Sequence, residues 1–406
     1  MASHEDTSVV FGWLMRTSRL VSQARPLVVT LLLLSAVLNL VVYLTYVSGS
    51  LSHNDFRLYY AGAEVGLRYG WSRIYDAGLH QAAVAALHPV GPWYALLTPA
   101  PITWLVAPLT VIGYPAAYWV WVAISLALLG VAVIYARPRQ YPAALCLLWW
   151  AALGPLWFSA YEGQVTILVA AGLLAGWKLL ETRRDFLGGA ILALALFKPH
   201  LVLLLPIALL VSGRKRALMG FLAVGLAEGI GMLVTLHLDG TSAYLTTLLA
   251  PQAAGDTART LGAILGHSPA AFAIQAAVVV AVIVIAAHTR RTRAAWPLVV
   301  SAVLGSFLLA TYWHPQDYIA IGAAAAIILA AGPRTTGVLM AAAVAVVAGL
   351  ANPFNSHQNA VGWLLLAAVF LAVMAIQALR ALAAPVARRP AAEVPAHGVG
   401  VRRVIE

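Results

Sequence analysis

Apolar segments follow one another from Pro26 to Ala384 with no long polar linker between them. A chain built this way cannot wrap itself in a water-facing shell. Only 10% of its 406 residues are charged, where a soluble domain keeps about 25%. Lipid must act as solvent for much of the surface, so the expected fold class is an all-α polytopic membrane protein. The expected organisation is a short segment over 1–25, one transmembrane domain over 26–384, and a basic tail over 385–406. The tail holds Pro, Ala and Arg without periodicity and reads as disordered. Polar residues persist to Arg25 and the first apolar run is of span length, so the N-terminus does not read as a cleavable signal.

The apolar runs number twelve: about 26–47, 115–135, 142–159, 164–180, 186–197, 201–211, 217–236, 270–287, 297–312, 318–331, 336–350 and 361–383. Several are short for a bilayer that needs about 20 residues. The two flanking Lys198-Pro199-His200 read equally as half-spans. With the N-terminus inside, the inner segments carry twenty of the 25 basic residues. Only Arg57, Arg68, Arg73, Lys198 and Arg259 remain outside. That bias predicts a plasma-membrane protein with both termini cytoplasmic. It also excludes 93–112 from the spans, because counting that stretch would reverse the side of every later loop. Pro99, Pro101 and Pro108 suit irregular backbone resting on protein there.

The first outer loop, 49–114, is then large. Phe56, Tyr60, Ala63 and Leu67 repeat at helical spacing, as do Leu79, Ala82, Ala83 and Ala86. These predict two amphipathic helices lying on the membrane surface. A second outer loop, 237–269, is polar and Gly-rich. The net charge of +11 comes from short basic clusters between spans, which argues against a nucleic-acid partner. The single cysteine, Cys146, excludes structural disulfides and cysteine-rich metal sites.

The chemically capable residues gather outside. Seven of the 14 acidic residues lie there, and so do eight of the 11 histidines: His53, His80, His88, His200, His237, His267, His314 and His357. Asp55 stands just past the first span, where it fits either a helix N-cap or a general base at the membrane boundary. Lys198, with His200 two residues on, is a costly charge at membrane depth. It reads either as a snorkelling lysine or as a site for a lipid phosphate. Tyr161-Glu162-Gly163-Gln164 opens a span, as plain polar punctuation or as a rim for a hydroxyl-rich ligand. Trp313-His314-Pro315-Gln316-Asp317-Tyr318 is a short turn or a sugar-binding cluster. Glu228 stands alone in a span, where a membrane carboxylate reads either as a proton relay or, the preferred reading here, as structural or neutral. No Walker-type phosphate loop, HExxH zinc pattern or serine nucleophile elbow is present.

A first span, an outer loop that begins with an acidic residue and holds two helices, and then many spans resemble the GT-C architecture of glycosyltransferases. Within it the chain resembles family 87, which includes polyprenyl-phosphate-mannose-dependent mannosyltransferases acting on phosphatidylinositol mannosides. The matching pieces run in order. They are Asp55-Phe56 with Tyr59-Tyr60-Ala61, Gly70 to Asp76, Pro108-Leu109, Trp119 to Trp121, Gly163-Gln164-Val165, Lys198-Pro199-His200, and His314 to Tyr318. Where the family opens the Pro-Leu segment with Tyr-Pro-Pro, this chain has Trp93-Tyr94-Ala95.

The resemblance implies an inverting transfer of a sugar, mannose in the first instance, from a polyprenyl-phosphate donor to a lipid-linked or glycolipid hydroxyl on the outer face. Arabinofuranose is the alternative sugar. Asp55 would take the proton, with His314 orienting or sharing it. Lys198, His200 and Arg57 would hold the donor phosphate, and Tyr59, Glu162, Gln164 and Asp317 the sugar and acceptor. No cofactor and no metal are implied. The rivals are a lipid or solute transporter, against which no internal repeat is seen, and another transferase handling lipid-linked glycans.

Overall fold

The computed structural model describes residues 5–50, 54–87, 93–249, 260–266, 268–350 and 360–383. The tail, 385–406, and His53, His88, His267 and His357 lie outside them, as does 250–259 of the second outer loop. Every regular element among the described residues is helical. α1 covers Glu5–Ser50, α2 Phe56–Tyr69, α3 Ala77–Ala86, α4 Pro101–Val106 and α5 Tyr114–Ala136. α6 (Ala143–Ala151) and α7 (Gly154–Tyr161) form a bent pair, followed by α8 (Thr166–Glu181), α9 (Asp185–Leu192) and α10 (Leu205–Val211). α11 covers Lys215–Leu249, α12 Leu261–Leu265, α13 Pro269–Thr292 and α14 Trp296–Leu309. α15 (Ile319–Ala331), α16 (Arg334–Leu350) and α17 (Ala360–Ala383) complete the bundle.

Each of the twelve apolar runs is helical, but helix length supports fewer spans than twelve. Five helices are long and apolar enough to cross a membrane, and a sixth span arises if α6 and α7, bent by 67°, count as one. The rest are shorter. α9 tightens into a 3-10 turn over Ala193–Phe197 and stops there, because Pro199 denies helical backbone to Lys198. α10 resumes the path for only seven residues. Lys198 sits at the break between these two short helices. α11 runs on past the expected boundary at His237, kinking there, and reaches Leu249.

Lipid as solvent explains α1. Leu27, Leu31, Leu34 and Leu38 are all more than half exposed on one helical face, which is stable only against acyl chains. The adjoining face, turned toward the bundle, carries Ser35 and Asn39. Both donate to the Ala152 carbonyl, at 2.9 and 3.0 Å. That carbonyl is orphaned by the break between α6 and α7, where Pro155 starts the new helix. Deeper in the bundle α8 is buried on nearly all sides, and α9 crosses α11 with backbones almost touching. A Cβ on Gly189 would lie 1.8 Å from the Ala217 carbonyl oxygen, and one on Gly220 would lie 2.0 Å from that of Phe186. Small residues are what permit such an approach between membrane helices.

The two helices expected in the first outer loop are present as α2 and α3. α2 does not lie open on a surface, however. Its first three turns, Phe56 to Gly66, are buried apart from Glu64. The ring of Phe56 sits among Tyr60, Tyr114, Tyr118 and Trp121, with centroids 5.9 to 6.4 Å away. α4 and the 3-10 turn Ala107–Ile112 that extends it pack beside α2. The stretch 93–112 thus contains only a short helix resting on protein.

Candidate active site

The start of α2 builds one wall of a polar cavity. Asp55 does not cap the helix, since its side chain makes no capping bond. Asn54 takes that work: its Oδ1 accepts from the Arg57 amide at 3.3 Å and from the Tyr114 hydroxyl at 2.7 Å. Asp55 is fixed instead by the turn between α7 and α8. The amides of Asp55 and Phe56 donate to Glu162, to its Oε2 and its carbonyl, each at 2.9 Å. Gly163 has φ +61°, and a Cβ there would stand 2.6 Å from that of Phe56. Only glycine fits both the left-handed backbone and the close approach. Trp121 Nε1 donates to the Gly163 carbonyl at 2.8 Å, and the Tyr118 hydroxyl donates to that of Ala160 at 3.0 Å. The N-terminal half of α5 therefore holds the turn against α2.

Gln164 completes this wall. The Tyr59 hydroxyl donates to its Oε1 at 2.9 Å, which fixes the amide so that Nε2 donates to Asp55 Oδ2. Burial, and then the charge of Asp55, push the Tyr59 phenol well up, so it remains a donor. Oδ1 of Asp55 has no protein partner among the described residues. Burial and the neighbouring Asp55 likewise push the Glu162 carboxyl well above the carboxylate range, against the Asp55 amide, Arg57 and Lys198. That environment favours the protonated form of Glu162.

The second wall comes from the broken helix. Lys198 Nζ lies 2.7 Å from Asp317 Oδ1, with Lys198 almost buried and Asp317 wholly so. Asp317 Oδ2 accepts from the His314 amide at 2.9 Å and faces His200 Nε2 at 3.4 Å. Burial pushes Asp317 up, but Lys198 and then His200 outweigh it and hold the carboxyl well below its usual range. Burial lowers His200, opposed by its bond to Asp317, and so favours the neutral ring. Tyr312 packs on that ring at 4.6 Å. The turn is anchored by Trp313 and Tyr318. Trp313 packs on Phe307, and Tyr318 stacks on Trp363 of α17 at 4.7 Å.

Between these walls lies a cavity of about 580 Å³. Seven of the residues singled out in the sequence line it: Asp55, Tyr59, Glu162, Gln164, Lys198, His200 and His314. Two do not. Arg57 is buried behind the wall, and Asp317 spends both oxygens on Lys198, His200 and His314. The lining also includes residues that sequence reasoning passed over: Tyr94 to Pro99, Tyr244, Leu248 and Tyr312. Aromatics at such positions look like the ordinary interfacial belt of a membrane protein. Tyr244 did carry a spacing signal, because α11 continues at helical period beyond His237.

His80 proves structural. It bonds the Leu58 carbonyl through Nε2 at 3.0 Å and accepts from Trp93 through Nδ1 at 3.1 Å. Glu228 sits in α11 away from the cavity. Among the described residues no cluster of three or more His, Cys, Asp or Glu is arranged to hold a metal.

A family model described as glycosyltransferase family 87 matches residues 97–315, more than half of the chain. The matched region contains Glu162, Gln164, Lys198, His200 and His314 and begins after Asp55. No curated protein and no solved structure matches the chain.

Proposed function

The chain belongs to glycosyltransferase family 87, and we propose that it moves a sugar, mannose in the first instance, from a polyprenyl-phosphate donor to a hydroxyl of a lipid-linked or glycolipid acceptor on the outer membrane face. It is a membrane-embedded glycosyltransferase; donor, acceptor and residue roles are the proposal. The observation that carries it is the pairing of opposite chemistries across one cavity. A carboxylate with one oxygen held by Gln164 and the other open faces a wall that carries a buried, ion-paired lysine.

In the proposed reaction the acceptor hydroxyl gives its proton to Asp55 Oδ1. Its oxygen attacks the anomeric carbon opposite the phosphate, the bond to the phosphate oxygen breaks, and the configuration inverts through an oxocarbenium-like transition state. The leaving phosphate keeps its electron pair and needs charge stabilisation more than a proton. Lys198 supplies it: Asp317 takes one of its three N–H donors, leaving the others for phosphate. His200 and His314 border that position. Glu162, neutral and bonded to the Asp55 amide, offers a hydroxyl donor to the sugar without competing for the proton. Arg57 acts from behind the wall through its charge, and Asp317 acts as counter-ion. Because Lys198 meets the phosphate charge, the transfer proceeds without a metal. EDTA leaving turnover unchanged is the expected result; abolition by EDTA and rescue by Mg²⁺ or Mn²⁺ would count against it.

The deciding experiment uses purified protein with synthetic polyprenyl-phosphate mannose and a lipid acceptor, wild type beside Asp55→Asn. The amide keeps the shape but cannot take a proton, and the expected loss in kcat is on the order of 10²- to 10⁴-fold. Near-normal turnover in Asp55→Asn would overturn the base assignment. Failure to consume the mannosyl donor while the arabinofuranosyl donor is consumed would replace the sugar.

A further inference from the structure

We propose that a second cavity, at the end of the bundle opposite Asp55, binds an anionic glycerophospholipid, with an acyl chain inside and the phosphate on Arg137. This cavity, about 290 Å³, is enclosed by α1, α5, α6, α8, α15 and α16. It is far from the catalytic one. Tyr114, at one end of α5, bonds Asn54, while Arg137 follows the other end of that 23-residue helix, roughly 35 Å away at 1.5 Å per residue.

Its walls are almost wholly apolar, among them Leu145, Trp149, Trp150 and Leu329. The one charged residue in the lining is Arg137, and no carboxylate lines it. The guanidinium is held in place, since Nη1 donates to the Tyr141 carbonyl at 3.0 Å. Its Nε, however, is buried with no partner among the described residues. A buried N–H left unbonded is costly, and a fixed guanidinium offering Nε–H and a terminal N–H presents the fork that a phosphate oxygen pair accepts. Arg139, two residues on and exposed, adds to the positive potential at the mouth. An apolar slot in a membrane-embedded chain, with a cation at its rim, fits an acyl lipid with a net anionic headgroup; a zwitterionic headgroup offers the same phosphate but sets its own cation beside Arg137 and Arg139.

Cys146, the sole cysteine of the chain, lines this cavity and reports its occupancy. Alkylation of Cys146 by N-ethylmaleimide is to be timed on delipidated full-length protein in detergent. Added dioleoylphosphatidylglycerol is expected to slow it about fivefold, as one arginine–phosphate contact at a membrane surface supplies. Dioleoylphosphatidylcholine at the same mole fraction is expected to have little effect. Arg137→Gln should reduce the first lipid to the level of the second and leave sugar transfer intact. Equal slowing by both lipids, slowing by neither, or a preference that survives Arg137→Gln each overturns the site. Native mass spectrometry of the wild type with the two lipids in equal amounts gives a second reading that needs no arginine variant. Preferential retention of phosphatidylglycerol, lost in Ala342→Trp, which fills the slot without touching its charge, is expected. Retention unchanged by that filling refutes the assignment.

Discussion

Asp55 and Asp317 are both acidic residues near the same cavity, yet their surroundings assign them opposite work. Asp317 is sealed, with its charge neutralised by Lys198 and its oxygens shared with His200 and the His314 amide. Asp55 is half-buried with one oxygen open. The same Asp→Asn change therefore separates stability from chemistry. Asp317→Asn strands a buried lysine charge and should cost about 3–5 kcal/mol, read as a lowered thermal midpoint in detergent. Asp55→Asn should leave that midpoint unchanged or raised while turnover collapses. A midpoint lowered equally by both would deny the division. The pH response follows the same logic. The depressed Asp317 carboxyl contributes stability that is present above the ordinary aspartate value of about 3.9 and is lost as pH falls below it. Glu162 has the opposite sign. Its raised carboxyl favours the fold while protonated, so that contribution fades as pH climbs from the ordinary value of about 4.3 toward the raised one. Glu162→Gln, a permanent mimic of the neutral form, should keep most of the activity and lose less thermal stability than wild type as pH rises above about 4.3. A variant that melts earlier across that window would show that Glu162 works as an anion.

At the scale of elements the site is made by interruptions. The turn at Gly163, the stop at Pro199 and the 3-10 turn Pro315–Tyr318 each end a helix where its polar residues are needed. Gly163→Ala tests the first. Its Cβ would enter the van der Waals shell of Phe56 in a left-handed backbone, so the expected cost is about 1–3 kcal/mol. Because Gln164 follows directly, turnover should fall more than the lost stability explains, with KM little changed. A loss of stability with unchanged kcat would separate the turn from the catalytic geometry. These interruptions were legible in the sequence as glycines, prolines and misplaced charges, and so were the helices between them. What each faces was not. The enclosure of α2 depends on Tyr114, Tyr118 and Trp121, which stand far along the chain. The pairing of Lys198 with Asp317 joins residues 119 apart, and no local pattern announces it. Asp55 looked like a helix cap because its neighbour Asn54, equally able to cap, could not be told apart by composition. Helix length does not by itself bear out twelve spans, since five helices, or six with the bent pair, are long enough to cross a membrane. A half-helix buried by its neighbours carries the same apolar run as a full span, and only its length in three dimensions distinguishes the two.

For the whole molecule the governing quantity is the distribution of charge along the bundle axis. The catalytic cavity holds Asp55, Lys198 and the two histidines at one end, while Arg137 and Arg139 follow α5 at the other. Moving arginine clusters across a bilayer is unfavourable, so the end richer in lysine and arginine stays on the side of synthesis. On that rule the cavity is expected to open outside, where a lipid-borne sugar would reach it without the enzyme crossing the membrane. This expectation rests on the twenty-to-five split of basic residues within the twelve-span topology read from the sequence and is open to direct test. In a Cys146→Ala background, Tyr94→Cys places a thiol at an exposed position on the cavity rim, and Arg139→Cys places one at the opposite end. In intact cells a membrane-impermeant maleimide should label the first and spare the second, and permeabilised cells should show both labelled. Labelling of Arg139→Cys alone in intact cells would turn the molecule over and move the reaction to the cytoplasmic leaflet. A cytoplasmic active site would meet soluble nucleotide sugars, and a polyprenyl-phosphate donor would lose its physical rationale.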